Sequence, residues 1–166
     1  RSFDGSDDEI LTQDHSIDTD SWTITAWFNV NLLDSTDSIV TTSYDNSENI
    51  NIFLRTESDG ELYFYIQDDS GAFPNISTPT TNNSWEFVAI TYEGEMKLYL
   101  NGELKESTTP SNSIIGSSVT DVGIGYQPFS GQTRRFYGGL FDIRFYNRVL
   151  SQSEIRELAR LGGINI

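Results

Sequence analysis

The sequence predicts an all-β domain, a sandwich of two antiparallel sheets with one short helix near its C-terminal end. Three observations support this prediction. Aromatic residues make up 13% of the chain and are interleaved with β-branched and small polar residues. Short apolar runs alternate with polar positions, and turn dipeptides separate them. The length of 166 residues suits a single core, so residues 1–166 are interpreted as one domain.

The first clear strand covers Trp22 to Val30. Its even positions are all apolar and its odd positions are mostly polar: Trp22, Ile24, Ala26, Phe28 and Val30 alternate with Thr23, Thr25, Trp27 and Asn29. Side chains alternate between the two faces of a strand, so this pattern predicts one face in the core. All three tryptophans of the chain, Trp22, Trp27 and Trp85, are interpreted as packing groups because they fall in or next to such strands.

Turn signals then divide the middle of the chain into hairpins. Asp59-Gly60 lies between the strand-like runs 50–55 and 61–67, and it predicts a tight hairpin turn. Glu93-Gly94 and Asn101-Gly102 separate the runs 87–92, 96–100 and 103–107. These three runs are predicted to form an antiparallel meander.

The last third of the chain is predicted to contain two more strands and the helix. Strands are expected in 119–126 and 135–146, and a helix in 151–160. Ser151 and Glu154 have capping-box spacing, and Leu150 with Ile155 forms a hydrophobic staple. The stretches 70–84 and 127–134 are predicted to be irregular and to carry binding surfaces.

The charge of the chain narrows the classes of partner. Its 25 acidic and 10 basic side chains give a net charge of −15, which disfavours nucleic acid and anionic membrane surfaces. Oxygen ligands are abundant, whereas cysteine is absent and His15 is the single histidine, so Ca²⁺ suits the chain and zinc does not. The sequence contains no run of about 18 apolar residues, so no membrane insertion is predicted. Because the sequence starts at Arg1 without a signal-type segment, it is expected to be a piece of a larger protein.

A succession of motifs along nearly the whole chain resembles the laminin G-like, pentraxin-related domains of the concanavalin A-like lectin and glucanase superfamily. The motifs are Phe3-Asp4-Gly5 followed by Asp7-Asp8, Thr23 to Trp27, Trp85 to Tyr92, Leu98 to Gly102, Gly139 to Ile143, and Tyr146-Asn147-Arg148 through Leu150-Ser151 to Glu154-Ile155. Each motif is weak alone, and their order is the specific feature.

The resemblance implies a two-sheet jelly roll whose N- and C-terminal strands lie side by side. It also implies a non-catalytic, calcium-dependent recognition module, for carbohydrate or another cell-surface ligand, next to other domains of a larger chain. Such modules occur in secreted enzymes, adhesins, surface proteins and viral fibres, so an extracellular, cell-surface or virion location is expected. A spacer or protein-docking module, in which calcium only stabilises the fold, is the alternative.

The resemblance further implies a calcium ion held by Asp4 and Asp142, with Asp7 or Asp8 nearby. Paired terminal strands would bring these carboxylates together, and about six to eight oxygens, including carbonyls and water, complete a calcium site. The competing interpretation is that Asp4-Gly5 is an ordinary turn and Asp142 an exposed strand residue.

Two loops are candidate ligand sites. Tyr44, Asp45, Asn46 and Glu48 combine an aromatic ring with carboxylate and amide oxygens, which suits the apolar face and hydroxyls of a sugar. Tyr126, Gln127, Arg134 and Arg135 form a second mixed loop. The alternatives are ordinary loop chemistry for the first loop and neutralisation of local carboxylates by the arginines for the second.

The hairpin at Asp59 allows two further hypotheses. Leu62, Phe64 and Ile66 are predicted to face the core, which leaves Phe53, Tyr63 and Tyr65 on the opposite face as a platform for a glycan or as rings covered by a loop. Glu57, Asp59 and Glu61 also match the alternating carboxylates of glucanases. Because Asp59-Gly60 is a turn signal, these carboxylates are expected to splay apart, so no enzyme activity is predicted.

Overall fold

The chain forms two antiparallel β-sheets and one helix. The computed structural model describes residues 1–13, 20–33, 35–43, 50–114, 121–127 and 134–162. The elements in chain order are β1 (Ser2–Asp4), β2 (Ile10–Gln13), β3 (Trp22–Val30), β4 (Asp37–Ser43), β5 (Ile50–Thr56), β6 (Glu61–Ile66), β7 (Asn75–Pro79), β8 (Glu86–Tyr92), β9 (Met96–Leu100), β10 (Glu103–Thr108), β11 (Asp121–Ile124), β12 (Tyr126–Gln127), β13 (Arg134–Arg135), β14 (Tyr137–Tyr146) and α1 (Gln152–Leu161).

Each of the two large sheets has six strands. The first sheet has the order β1-β14-β3-β8-β9-β10, and the second has the order β2-β11-β4-β5-β6-β7. Strands β12 and β13 form a separate two-stranded ribbon. Because β1 pairs with β14, the terminal strands lie side by side. The predicted jelly-roll sandwich, the β5–β6 hairpin and the β8–β9–β10 meander are therefore confirmed.

The main core lies between the two sheets. Leu62, Phe64 and Ile66 of β6 are buried there, as the alternation predicts. They pack with the inward residues of β3, including Ile24 and Phe28. This burial of large apolar side chains supplies most of the free energy that holds the sheets together.

A second apolar cluster covers the outer face of the first sheet. The sequence predicted one core face for β3, but both faces are buried, and Trp27 has no exposed surface. Two features explain the difference: β3 lies between β14 and β8, and α1 packs across its outer side. The cluster consists of Trp27, Phe87, Ala89, Tyr99, Leu150, Ile155 and Ala159.

The helix begins as predicted. Ser151 is the N-cap, and both bonds of the capping box with Glu154 are present. Arg148 also donates two hydrogen bonds to the Glu154 carboxylate, at 2.7 and 3.1 Å. These bonds hold the pKa of Glu154 low, at about 2, with the Arg148 bond as the largest cause. The helix start is thus encoded by local contacts.

Several strands were not predicted. β7 lies inside the stretch 70–84 that the sequence indicated as irregular, and β2 and β4 have no clear alternation. β7 is an edge strand that pairs with β6 alone, and it contributes only two buried side chains, Ile76 and Thr78. β4 contains two register shifts, which interrupt the period of two. Of the strand predicted in 119–126, residues 119 and 120 lie outside the described residues.

Candidate functional site

Three carboxylates lie together where the chain leaves β1. Oxygen atoms of Asp4, Asp7 and Asp8 are all within 4.8 Å of one another. The Ser6 amide donates to Asp4 Oδ1 at 2.8 Å, and the Asp4 amide donates to Asp8 Oδ2 at 3.0 Å. Backbone bonds therefore arrange the first and last carboxylates of this turn. We call Asp4, Asp7 and Asp8 the aspartate cluster.

The donor set of the aspartate cluster fits a calcium ion. Calcium takes hard oxygen ligands, and three carboxylates at a solvent-accessible turn leave room for water and carbonyl ligands. Arg1 donates to Asp8 Oδ1 at 3.1 Å, so one positive charge already lies beside the cluster. Among the described residues, Asp7 has no hydrogen-bond or ion-pair partner, so its carboxylate can turn toward a ligand.

Asp142 lies apart from the aspartate cluster, contrary to the expectation from the sequence. β1 runs antiparallel to β14, with Asp4 opposite Tyr137. Asp142 is five positions further along β14, which corresponds to about 16 Å of strand. It falls in a register shift between Phe141 and Arg144 and has a φ of 52°. Its two oxygens each accept a hydrogen bond from Arg144 at 2.7 Å. The structure therefore does not bring Asp142 together with Asp4.

The second candidate ligand loop is built on the β12–β13 ribbon, in which Tyr126 lies opposite Arg135 and Gln127 opposite Arg134. Gln127 is fully buried, and its Oε1 accepts from Arg134 Nη1 at 3.5 Å. Arg135 forms a 2.8 Å ion pair with Glu9 and lies 4.9 Å from the centre of the Tyr126 ring. Arg135 thus neutralises the nearby Glu9 carboxylate, as the alternative interpretation of this loop expected. The first candidate loop, Tyr44, Asp45, Asn46 and Glu48, lies outside the described residues.

Aromatic side chains occupy the outer face of β5 and β6. Phe53 is only 4% exposed, and Phe73 covers it at a ring-centre distance of 5.4 Å. Tyr63 and Tyr65 are partly exposed and stack on each other, with ring centres 5.3 Å apart and planes 20° apart. We call Tyr63 and Tyr65 the tyrosine pair. The sequence indicated this face but not which of its rings stay accessible.

Carboxylates at the hairpin tip fix the tyrosine pair. The Tyr65 hydroxyl donates to Glu57 Oε1 at 2.8 Å, and the Tyr63 hydroxyl donates to Asp59 Oδ2 at 2.8 Å. Arg55 donates to Glu57 Oε1 through Nε and Nη2 at 2.9 and 2.6 Å, and its guanidinium carbon lies 4.5 Å from the Tyr65 ring centre. Burial and the Glu57 bond raise the pKa of Tyr65 to about 12. Both phenols are therefore protonated donors at neutral pH.

The hydrogen bonds of the hairpin tip also involve Glu57, Asp59 and Glu61, the residues that match the alternating carboxylates of glucanases. The Glu57 amide donates to the Glu61 carbonyl at 2.9 Å, so these residues face each other across a turn. Glu57 is bound to Arg55 and Tyr65, while Asp59 accepts from Tyr63 and from the Glu61 amide at 3.0 Å. The Glu57 and Asp59 carboxylates thus each accept hydrogen bonds from within the hairpin.

The aspartate cluster and the hairpin tip lie at the same end of the sandwich. Tyr137, opposite Asp4, donates its amide to Asp37 Oδ2 at 3.1 Å. Asp37 is in turn opposite Thr56, which directly precedes Glu57. Two strand pairings and the side-chain bond of Asp37 between the sheets therefore connect the two groups. No helix in the described ranges has the length and apolar character needed to cross a bilayer.

Comparisons with known proteins agree with this architecture. The binding domain of botulinum neurotoxin serotype G matches with a TM-score of 0.75 and 16% identity, over 97% of this chain and 42% of the toxin domain. The ligand binding domain of botulinum neurotoxin serotype D, solved in complex with N-acetylneuraminic acid, matches with a TM-score of 0.71 and 19% identity, over 94% of this chain and 40% of that one. The chain thus spans about two fifths of these toxin domains.

A heptameric pentraxin from Limulus polyphemus, described as SAP-like, has a TM-score of 0.72 and 20% identity, over 95% of this chain and 80% of the pentraxin. These solved structures are binding domains and a pentraxin, and at these identities they show the fold alone. A search of curated proteins found no match. The laminin G-type model of the concanavalin A-like lectin/glucanases superfamily matches residues 4–156. The chain therefore belongs to the concanavalin A-like lectin/glucanases superfamily.

Proposed function

We propose that this domain is a non-catalytic, calcium-dependent recognition module that binds carbohydrate. It would act outside the cell, within an adhesin, a surface protein, a fibre or a secreted enzyme. The observation that carries the calcium part is the aspartate cluster, which places three carboxylates next to the pairing of the terminal strands. The similarity in fold to toxin binding domains, one of them solved with N-acetylneuraminic acid, supports the recognition part.

Calcium would act on this module as a clamp. Bound at Asp4, Asp7 and Asp8, the ion would offset the mutual repulsion of the three carboxylates and fix the turn that follows β1. Among the described strands β1 pairs with β14 alone, and it has three residues, so its pairing is a weak point of the first sheet. A fixed turn would also order the end of the sandwich that carries the Glu57 tip. Calcium dependence of binding would follow without the ion contacting the sugar.

Adding millimolar calcium after EDTA is expected to raise the melting temperature of the domain. An ion that binds only the native state stabilises it by about 2.7 kcal/mol at a hundred times its dissociation constant. Asp7→Asn should abolish the rise, since it removes a ligand without removing an intramolecular bond. Asp142→Asn is the matched control and should leave the rise intact, because Asp142 lies apart from the cluster. Thermal unfolding by circular dichroism gives the answer, and an unchanged wild-type melting temperature would contradict the metal site.

A glycan array probed with the domain in calcium and again in EDTA tests recognition. We expect binding to a defined set of glycans in calcium and weaker binding in EDTA. Display of several copies on a bead raises the apparent affinity and makes weak binding measurable. A calcium-stabilised domain that binds no glycan would instead favour a spacer or protein-docking module. Incubation with laminarin should release no product.

A further inference from the structure

A second feature of the molecule, separate from the aspartate cluster, has the chemistry of a sugar site. The tyrosine pair lies on the outer face of the second sheet, and both of its rings are partly exposed. Phe53 packs between Tyr65 and Phe73 and is only 4% exposed, whereas Phe73 keeps 37% of its surface accessible at the edge of the pair. In the described part of the chain, these two rings form a stacked aromatic pair whose outer surface reaches solvent.

The tyrosine pair is held rigidly before any ligand arrives. Each phenol donates to its own carboxylate, Tyr63 to Asp59 and Tyr65 to Glu57, and the rings stack on each other. Arg55 fixes Glu57 in turn. A ring that is already immobilised loses little conformational entropy when a ligand stacks on it. The arrangement therefore resembles a preorganised platform more than a flexible surface.

The polar groups around Tyr63 are acceptors. Asp59 and Glu57 each retain lone pairs beyond the bonds described above, and Glu106 lies beside the neighbouring strand, where its Oε2 accepts from the Ser77 amide at 3.2 Å. Ser77 is opposite Tyr63 in the β6–β7 register. Carboxylate oxygens accept hydrogen bonds from sugar hydroxyls, which are good donors. The flat apolar face of a pyranose ring matches the face of a tyrosine.

The charges around Tyr63 select among sugars. The hydrogen bond to Asp59 is the largest cause of its raised pKa, followed by burial and by the charges of Asp59, Glu57 and Glu61. Tyr63, which donates to Asp59, is therefore the electronegative end of the pair, in a chain whose net charge is −15, whereas the guanidiniums of Arg55 and Arg134 lie on the Tyr65 side. A sugar that carries a carboxylate or sulfate would be repelled here, whereas a neutral one would not.

We propose that the tyrosine pair, with the Asp59 and Glu57 carboxylates, is a binding platform for neutral saccharides, on which a pyranose ring stacks against Tyr63. This inference rests on the proposed carbohydrate recognition and gives it a place and a ligand class. The platform contains no member of the aspartate cluster, so sugar contact itself requires no metal ion. Sialylated glycans bind it more weakly than their neutral counterparts.

The test compares the wild-type domain with Tyr63→Ala, in millimolar calcium throughout so that the metal site is not a variable. Neutral glucose-, galactose- and mannose-based oligosaccharides and the sialylated forms of the galactose series are the probes, measured by array and by saturation-transfer NMR. Removing the ring should weaken binding of the neutral glycans by about tenfold, the upper range for an aromatic contact. Tyr63→Trp should retain binding, because it keeps an aromatic face.

Two controls separate this result from misfolding. Phe141→Ala removes another exposed ring, 53% accessible on the first sheet, and should leave binding unchanged. The melting temperature of Tyr63→Ala reports directly on its fold, and Tyr63→Trp shows whether binding follows the aromatic face at this position.

The outcomes distinguish this inference from the broader function. If Tyr63→Ala binds neutral glycans as well as wild type does, the platform is wrong while carbohydrate recognition stands. Tighter binding of the sialylated forms at low salt also overturns it, since the electronegative surroundings predict the opposite order. If the wild-type domain binds none of the probes, the proposed function fails, and the platform with it.

Discussion

Replacing Gly138 with alanine is expected to destabilise the domain more than any other single substitution considered for β14. Gly138 has a φ of 155°, and a Cβ atom placed there would lie 2.0 Å from the backbone carbonyl oxygen of Asn29. Gly138 is opposite Val30 in the β14–β3 register and opposite Phe3 in the β14–β1 register. A side chain would therefore force β14 away from β3, its partner inside the first sheet. A loss of about 4 kcal/mol or more is expected, a large part of a typical stability of about 5–15 kcal/mol.

Gly94→Ala is the matched control for this substitution. Gly94 also has a positive φ, 73°, but a Cβ there would meet no atom within 4 Å. Only backbone strain is added, which costs about 1–2 kcal/mol. Chemical denaturation of both variants measures the difference. Similar stabilities would mean that the close approach of β14 and β3 is not the reason for glycine at position 138.

The elements that the sequence predicts well are those defined by neighbouring residues. The capping box needs only Ser151 and Glu154, three positions apart, and the structure contains both of its bonds. The Asp59-Gly60 turn likewise joins two strands that follow one another in the chain. Such contacts depend on local backbone geometry, which short patterns encode directly.

Elements that depend on distant partners were harder to predict. β7 is a strand because β6 presents an unpaired edge, not because its own residues alternate strongly. The alternation of β3 predicted only one core face, yet α1, more than a hundred residues later, covers the face that carries Trp27. Burial of that kind depends on tertiary packing and leaves no periodic signal in the strand itself.

The same distinction applies to the candidate site. The aspartate cluster was predictable because Asp4, Asp7 and Asp8 share one turn. The expected partner Asp142 required a register between strands more than a hundred residues apart, and the actual register places Tyr137 opposite Asp4, while Asp142 pairs with its near neighbour Arg144. The tyrosine pair combines both situations: alternation put Tyr63 and Tyr65 on one face, but only the fold shows that their hydroxyls meet Asp59 and Glu57.

Replacing Trp27 with alanine is expected to destabilise the domain by about 3–5 kcal/mol, the usual range for a large aromatic residue lost from a core. Trp27 is fully buried, and its ring centre lies 5.4 Å from that of Phe87. It also packs under the end of α1, since a Cβ on Gly162 would lie 2.3 Å from Trp27 Cε2. Its removal should loosen the helix as well as open a cavity.

Phe141→Ala is the control that tests this interpretation of Trp27. Phe141 is directly opposite Trp27 in the β14–β3 register but is 53% exposed, so its loss should cost less than about 1 kcal/mol. Urea denaturation gives both free energies, and hydrogen exchange in 152–161 should increase in Trp27→Ala alone. Because Trp27 and the tyrosine pair lie on different sheets, the residual folded Trp27→Ala domain should bind glycans as wild type does. If the two substitutions destabilised the domain equally, the cluster beneath α1 would not be a core. The tryptophan would then have to be reconsidered as a surface residue available for stacking.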